Sequence, residues 1–232
     1  MKYEILRTGS DGNCTIINRK IAIDIGVPFK TVEPYAYDLK LVLLTHHHGD
    51  HFNPGTVKRL AKNRPMLRWG CCEWMVQFLL NCGVRQDKID VYEANGMDYF
   101  YGSAIDDLAV RPEPLLHNVP NCGYHIHIGD DWLFYATDTG SLDGIEAKGY
   151  NTYLVEANHR EAELEARIDA KMEAGEFAYE TAAAQNHLSY EQAVDWLREN
   201  MGPQSVWVPM HQHKERENRD GEQDHKGIGV HE

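Results

Sequence analysis

The sequence has no long apolar run. Nowhere in its 232 residues does a stretch approach the roughly eighteen consecutive apolar residues of a membrane-spanning helix. The start, Met1 to Arg7, has no apolar stretch after its basic residue, so a cleaved signal peptide is not expected. Apolar residues still make up 42% of the chain, which is enough for a real core. We therefore expect a soluble protein with no membrane partner.

Cysteine is scarce and irregularly spaced. The chain has five cysteines, an odd number, and no CxxC pair among them. A disulfide framework and a structural zinc ribbon are therefore both disfavoured, and a reducing, cytoplasmic location is expected. The cysteines are Cys14, Cys71, Cys72, Cys82 and Cys122.

Basic residues are outnumbered by acidic ones, 23 to 36, which gives a formal net charge of −13. Broad, nonspecific wrapping of nucleic acid needs clustered Lys and Arg and is therefore disfavoured. A phosphodiester substrate is still compatible with this charge, because bound metal ions reverse the local charge of a site.

Strand and helix patterns alternate in blocks rather than in strict βαβ units. Leu39 to Thr45 is nearly all apolar, as in a strand covered on both faces. Asn53-Pro54 is a helix start, and Ser189 to Gln192 forms a capping box that opens another helix. Cys71-Cys72 opens an apolar helical pattern that ends at Gly83.

The chain reads as one domain with a short extension. No convincing linker or repeat interrupts residues 1–214, which we predict to form a single domain. Residues 215–232 are highly polar and are expected to be a tail. His125 and His127 share one face of a strand, and without an acidic residue at a matching position both are expected to be structural.

One short segment carries most of the chemistry. His46, His48, Asp50 and His51 place four potential metal ligands within six residues, directly after the apolar strand. Such a density is hard to explain by packing, and imidazole with carboxylate suits zinc, manganese or iron. His47 lies between two inward-facing histidines and is expected to point away. The segment predicts a site for two divalent ions, with zinc favoured, that would activate water as a nucleophile.

The motif resembles that of the metallo-β-lactamase superfamily. Thr8 to Cys14 and Asn186 to Ser189 are similar in particular to the YycJ-like branch, and the resemblance extends from about Tyr3 to about Asn218. It implies an αββα sandwich of the α/β class, with two mixed β-sheets flanked by helices. It also implies a hydrolase that acts on phosphodiester bonds.

The resemblance extends the ligand set beyond the motif. It implies His117 as the third ligand of a first metal and Asp138 as a residue that bridges both metals. The last ligand is a histidine after the final strand, for which His211 is favoured over its rival His213. Together these assignments give a full set of seven ligands: His46, His48, Asp50, His51, His117, Asp138 and His211.

Other polar residues are expected around this set. Asp50 and His187 are the candidates for moving a proton to the leaving group, although His187 could equally fix the helix start that it precedes. Asp24, at a strand end, is expected to support the metal loop by accepting its hydrogen bonds. Ser10 and Asn13 in the first turn are expected to line the pocket.

The function that these residues favour is a phosphodiesterase or nuclease, acting on a small-molecule or short nucleic-acid substrate. Three alternatives stay open at this stage. One is hydrolysis of a lactone, thioester or other carboxylic ester, which an apolar pocket wall would favour over converging basic groups. A redox di-iron site is disfavoured because related proteins of that kind carry Glu at the position of His48. The last alternative is a metal-binding protein without turnover.

Overall fold

The computed structural model describes residues 1–94, 100–102, 105, 107–176 and 180–212. The rival ligand His213 and the polar tail at 215–232 lie outside the described residues. The division into one domain and a tail therefore stays a prediction.

The first β-sheet is formed by the amino-terminal half of the chain. Its six strands stand in sequence order, with antiparallel pairing from β1 to β3 and parallel pairing from β3 to β6. The strands are β1 Tyr3–Arg7, β2 Cys14–Ile17, β3 Ile21–Ile23, β4 Leu41–Leu44, β5 Arg68–Cys72 and β6 Ile89–Tyr92.

The second sheet repeats this mixed plan with the other half of the chain. Its strands also stand in sequence order, antiparallel from β7 to β10 and parallel from β10 to β12. They are β7 Tyr101–Gly102, β8 Leu108–Leu115, β9 Asn121–Ile128, β10 Asp131–Ala136, β11 Thr152–Glu156 and β12 Val206–Met210.

Helices cover the outer face of each sheet. The first three pack on the first sheet, and α6 packs on the second. The described α-helices are α1 Phe29–Val32, α2 Pro54–Asn63, α3 Glu73–Asn81, α4 Glu161–Glu173, α5 Glu180–Asn186 and α6 Tyr190–Asn200, and a short 3-10 helix spans Gln86–Lys88. A separate apolar core, with Leu41, Tyr124 and Tyr135 among its members, fills the space between the sheets. The αββα sandwich that the sequence implied is confirmed.

The helix starts that the sequence indicates are present. Asn53 accepts a hydrogen bond from the backbone N–H of Thr56, and Ser189 and Gln192 form a reciprocal capping box. These contacts satisfy backbone donors that a helix leaves unpaired at its first turn.

The segment around Cys71-Cys72 is a correction to the helical pattern. Both residues belong to β5, and α3 begins only at Glu73. Gly70 in β5 leaves room for the Tyr92 side chain of the neighbouring β6, because a Cβ atom at that position would lie 2.6 Å from the Tyr92 hydroxyl. All five cysteines are buried and free. In the part of the chain that the structure describes, no helix is long and apolar enough to cross a membrane.

Candidate metal centre

Three histidine rings converge where the two sheets end. His46 Nε2 lies 3.1 Å from His48 Nδ1, which lies 3.4 Å from His117 Nε2. His46 and His48 follow β4, and His117 follows β8, so both sheets contribute to this first cluster. It is defined here as His46, His48 and His117, whose three ring nitrogens all lie within 4.8 Å of one another.

Two of these rings are oriented by contacts on their far side. His46 Nδ1 lies 3.0 Å from Thr45 Oγ1, which itself donates to the Asp24 carboxylate. His117 Nδ1 lies 3.2 Å from the carbonyl oxygen of Asn186. A ring that donates through Nδ1 presents the lone pair of Nε2 to the cluster, which is the tautomer that a metal ligand requires.

The rings of the first cluster are held neutral. Burial is the main cause that lowers the pKa of His46 well below its ordinary value, and burial likewise lowers the pKa of His48 and of His117. Neutral imidazole is the form that binds a metal ion, so these rings are ready to coordinate one without first losing a proton.

A second cluster mixes carboxylates with histidines. It is defined here as Asp50, His51, Asp138 and His211, whose ligand atoms also lie within 4.8 Å of one another. His51 Nε2 is 2.5 Å from Asp138 Oδ2, and His211 Nε2 is 3.5 Å from Asp50 Oδ2. Burial opposes protonation of His51, but nearby Asp138 and Asp24 outweigh it and raise its pKa well above the ordinary value. A position that attracts a proton in this way also attracts a metal cation.

Asp138 lies between the two clusters. Its Oδ2 is 3.4 Å from His46 Nε2 and 2.5 Å from His51 Nε2. Its other oxygen, Oδ1, is buried and receives no hydrogen bond from the described residues, although ring nitrogens of His187 and His211 lie 3.2 Å away. An almost fully buried carboxylate with such an oxygen fits a group that bridges two cations.

Asp24 lies beneath the loop that carries His46, His48, Asp50 and His51. Its fully buried carboxylate accepts hydrogen bonds from the Thr45 backbone N–H and hydroxyl, and its Oδ2 is 2.7 Å from His51 Nδ1. His51 therefore donates through Nδ1 and directs Nε2 toward the second cluster. Carboxylates in this position fix the orientation and raise the basicity of a ligating histidine.

Glu156 is a residue that the sequence analysis missed. It ends β11 and is completely buried, and its Oε1 lies 2.7 Å from His187 Nδ1 and 3.2 Å from His211 Nδ1. Its Oε2 accepts from the backbone N–H groups of Thr139 and Leu188. Glu156 thus positions two site histidines with one oxygen. The only sequence signal was an acidic residue at the end of a buried strand.

His187 borders the second cluster rather than serving only the helix start. Burial opposes its protonation, but the neighbouring carboxylates of Asp138 and Glu156 outweigh it and raise its pKa to about 10. Its ring stacks on that of His211 with centroids 5.1 Å apart. Its Nδ1 is therefore the nitrogen that the carboxylates engage.

The backbone around the site adopts an uncommon conformation at three functional positions. Asp24, Asp138 and His211 have φ values of 58°, 56° and 50°, in the left-handed region that non-glycine residues seldom occupy. His211 is held there from both sides, because its N–H donates to Thr8 Oγ1 and its carbonyl accepts from Asn158 Nδ2. Such strain is concentrated at functional sites that the surrounding structure over-determines.

Asn158 holds the chain at His211, because its Nδ2 donates to the His211 carbonyl oxygen. The N-cap of the following helix, α4, is Arg160. The structure therefore places His211 in the second cluster, and its role as a ligand stays a prediction.

The residues expected at the rim differ in their placement. Asn13 is fully buried, with Nδ2 2.7 Å from His51 Nε2, so it borders the second cluster. Ser10 is exposed in the same turn. The His47 ring stacks on Phe78, with centroids 4.8 Å apart, and belongs to neither cluster in the described residues.

The sequence matches a family model described as the beta-lactamase superfamily domain over residues 24–212. This match includes both clusters and most of the chain. The chain belongs to the metallo-β-lactamase superfamily. The matched region begins at Asp24, which supports His51, and ends at Gln212, directly after His211. No curated protein matches the sequence.

Solved structures share the fold at low sequence identity. The metallo-beta-lactamase fold protein YhfI from Bacillus subtilis has a TM-score of 0.66 at 11% identity, covering 90% of this chain and 85% of its own. Human tRNase Z, short form, has a TM-score of 0.66 at 14% identity, covering 91% and 93%. Zn(2+)-bound PqqB from Methylobacterium extorquens has a TM-score of 0.65 at 12% identity, covering 91% and 89%. At these identities the likeness shows the fold alone.

Proposed function

We propose that this protein is a metal-dependent hydrolase with a dinuclear site that cleaves phosphodiester bonds. The observation that carries the proposal is the position of Asp138 Oδ2, 3.4 Å from His46 Nε2 and 2.5 Å from His51 Nε2. One carboxylate oxygen therefore serves both clusters. In this arrangement the first cluster would hold one ion and the second cluster the other, and the Asp138 carboxylate would contribute to both sites.

The donor set suits two divalent ions, with zinc favoured and manganese or iron as alternatives. Imidazole nitrogens dominate the first cluster and carboxylates enter only in the second, a mixture typical of zinc hydrolases. Such ions, when bound, supply the Lewis acidity that activates water and polarises the phosphoryl oxygen. The Zn(2+)-bound PqqB structure supports zinc as the first metal to test.

The chain's own residues would handle the proton. We assign to His187 the delivery of a proton to the leaving oxygen, because Glu156 and Asp138 both hold its Nδ1. A hydrogen-bonded carboxylate behind a histidine fixes the ring and stabilises its protonated form. Asp50 is the second candidate. Its carboxylate is partly exposed and contacts His211, so it faces the space where a substrate would bind.

The substrate class rests on three lines of support. The first is the sequence resemblance to the YycJ-like branch, and the second is the structural likeness to tRNase Z, whose name denotes a nuclease. The third is His187 itself, because an alkoxide leaving from phosphate needs a proton more than an acidic phenolate does. A net charge of −13 favours a small or short substrate over a long duplex.

The experiment is a substrate panel on the zinc-loaded full chain. We expect hydrolysis of bis-p-nitrophenyl phosphate and of a short dinucleotide. In His187→Gln, kcat on the dinucleotide should fall about 100-fold or more, with a much smaller loss on bis-p-nitrophenyl phosphate, whose phenolate leaves unaided. His127→Gln is the matched control, since this histidine stacks on Trp132 away from both clusters. Equal losses on both substrates, or no turnover of either, would contradict the proposal.

One observation favours the acyl alternative. Leu116, which precedes His117 in the sequence, is 63% exposed, so an apolar side chain is accessible close to a residue of the first cluster. An apolar wall suits a lactone or thioester substrate. Adding such substrates to the panel distinguishes phosphodiester hydrolysis from acyl hydrolysis. If the protein hydrolyses an ester but none of the phosphodiesters, the assignment changes to acyl hydrolysis.

A further inference from the structure

A cavity lies on the outer face of the second sheet, separate from the metal centre. Its volume is about 510 Å³, within the range of small-ligand pockets. It is lined by Phe100, Arg111, Trp132, Glu146, Lys148, Gly149 and Tyr150. None of these residues belongs to either metal cluster.

The strand directions place this cavity far from the metal clusters. Trp132 is near the start of β10, whereas Asp138 follows its end at Ala136. Six residues of extended chain separate them by roughly 20 Å. Leu133 and Tyr135 face the core between the sheets, so the alternating Trp132 faces outward. The cavity is therefore a different site from the one assigned to hydrolysis.

Arg111 is held in place by a buried polar group. Its side chain is only 11% exposed, and its Nη2 lies 2.8 Å from His125 Nε2 and 3.4 Å from Glu113 Oε2. His125, directly opposite on β9, is completely buried, and its Nδ1 is 2.9 Å from the Tyr150 hydroxyl. The sequence analysis found no acidic partner for His125, and Glu113 on the neighbouring strand corrects that view. A guanidinium fixed in this way loses little entropy when it binds a ligand.

Lys148 supplies a second cation that can turn toward a ligand. Its ammonium contacts Glu146 at 2.8 Å, but the two side chains are 63% and 72% exposed. An exposed ion pair of this kind contributes little, so a ligand anion can compete for the lysine.

Aromatic rings form the rest of the wall. Trp132 is backed by His127, whose ring stacks on it at 4.1 Å, and Phe100 meets it edge-on at 5.5 Å. Tyr150 approaches the same indole at 5.1 Å. Arg111 already lies over the Phe100 ring, at 5.6 Å, so the electron-rich face that a cationic ligand would need is taken. The other ring surfaces of this wall, those of Trp132 and Tyr150, suit contact with a planar ring.

We propose that this cavity binds a planar aromatic ring that carries a phosphate, as in a nucleoside monophosphate. The ring would pack among Phe100, Trp132 and Tyr150, and the phosphate would contact Arg111 and Lys148. Arginine offers a fixed set of donors to phosphate oxygens, and aromatic side chains stack on bases.

The test is calorimetric titration of the metal-loaded full chain and its variants with AMP, adenosine and inorganic phosphate. AMP could also bind at the metal centre, so the same titration is run on His48→Ala. We expect AMP to bind this variant with a Kd below about 1 mM, and adenosine and phosphate to bind at least tenfold more weakly. Lys148→Gln in the same background should weaken AMP about tenfold, whereas Lys62→Gln, an exposed lysine on α2, should not.

Each outcome decides the proposal. AMP binding that survives His48→Ala but weakens in Lys148→Gln and in Trp132→Leu supports it. Binding that disappears in His48→Ala and ignores Lys148 belongs to the metal centre and overturns it. Phosphate as strong as AMP would mean a simple anion site, which also overturns it. Thermal melting of each variant shows whether the fold is retained, and none of these outcomes depends on hydrolytic activity.

Discussion

The two metal clusters differ in the charge of their ligands and in what holds them. The first consists of three imidazoles, two of which rest on neutral groups, the Thr45 hydroxyl and the Asn186 carbonyl. The second contains two carboxylates, and its histidines rest on the buried carboxylates of Asp24 and Glu156. Both lie at the ends of the same two sheets.

This difference predicts two unequal metal sites. The first cluster offers only nitrogen ligands of its own, with Asp138 shared between the two sites, and would suit zinc. The second gains attraction from its charges and accepts harder ions, such as manganese, as well. Asp138 would make the sites interdependent, because an ion in one would stabilise the carboxylate that the other also uses. The following substitutions separate the clusters in order of expected effect.

Asp138→Asn should have the largest effect, because it removes the shared charge while keeping the side-chain shape. We expect metal content to fall below about one ion per chain and turnover to fall about 1,000-fold or more. Elemental analysis after dialysis, together with kcat/KM on bis-p-nitrophenyl phosphate, measures both. Retention of two ions with normal turnover would show that Asp138 bridges nothing.

Loss of one ligand from each cluster should show the next largest effect. We expect His48→Ala and His211→Ala each to retain about one ion per chain, with turnover reduced about 100-fold or more in both. Zinc and manganese titrations of the two variants should then differ. The cluster left in His48→Ala should accept manganese, and the one left in His211→Ala should prefer zinc. Identical metal preferences would remove the distinction drawn between the clusters.

Glu156→Gln tests the support of the second cluster alone. The amide keeps the size but removes the charge that holds His187 and His211, so affinity for the second ion should fall about 10–100-fold. The first ion should stay bound. Glu113→Gln is the matched control, since Glu113 contacts His125 on the same sheet without touching either cluster. Equal losses in both variants would indicate a general destabilisation instead.

Thr45→Val should have the smallest effect and links the two clusters. The Thr45 hydroxyl donates to Asp24 below the second cluster and contacts His46 in the first. Valine keeps the shape but removes these bonds, at a cost of about 1–2 kcal/mol in the free energy of unfolding. Affinity for both ions should fall a few-fold, as measured by competition with a chelator. A change at only one ion would restrict the role of Thr45 to that cluster.

The local parts of this site could be predicted from sequence. His46, His48, Asp50 and His51 are packed into one loop, so their density alone indicated a metal site. The helix starts at Asn53 and Ser189 were visible for the same reason, since capping depends on neighbours three residues apart.

Features that depend on contacts between distant segments were harder to see. Glu156 becomes a site residue only because β11 ends beside His187 and His211, which come from later segments. Glu113 contacts His125 through the pairing of β8 with β9, and the register of that pairing cannot be predicted from the sequence of either strand alone. His117, Asp138 and His211 were found through family resemblance, because a single residue after a strand carries no pattern of its own.

The most direct test of the central claim is a crystal structure of the zinc-loaded protein with anomalous diffraction at the zinc edge. We predict two peaks about 3.5–4 Å apart, one among His46, His48 and His117 and the other among Asp50, His51 and His211, with Asp138 between them. Ligand distances should be about 2.0–2.2 Å. A protein that binds no zinc at these clusters, or a single ion that Asp138 does not contact, would contradict the account.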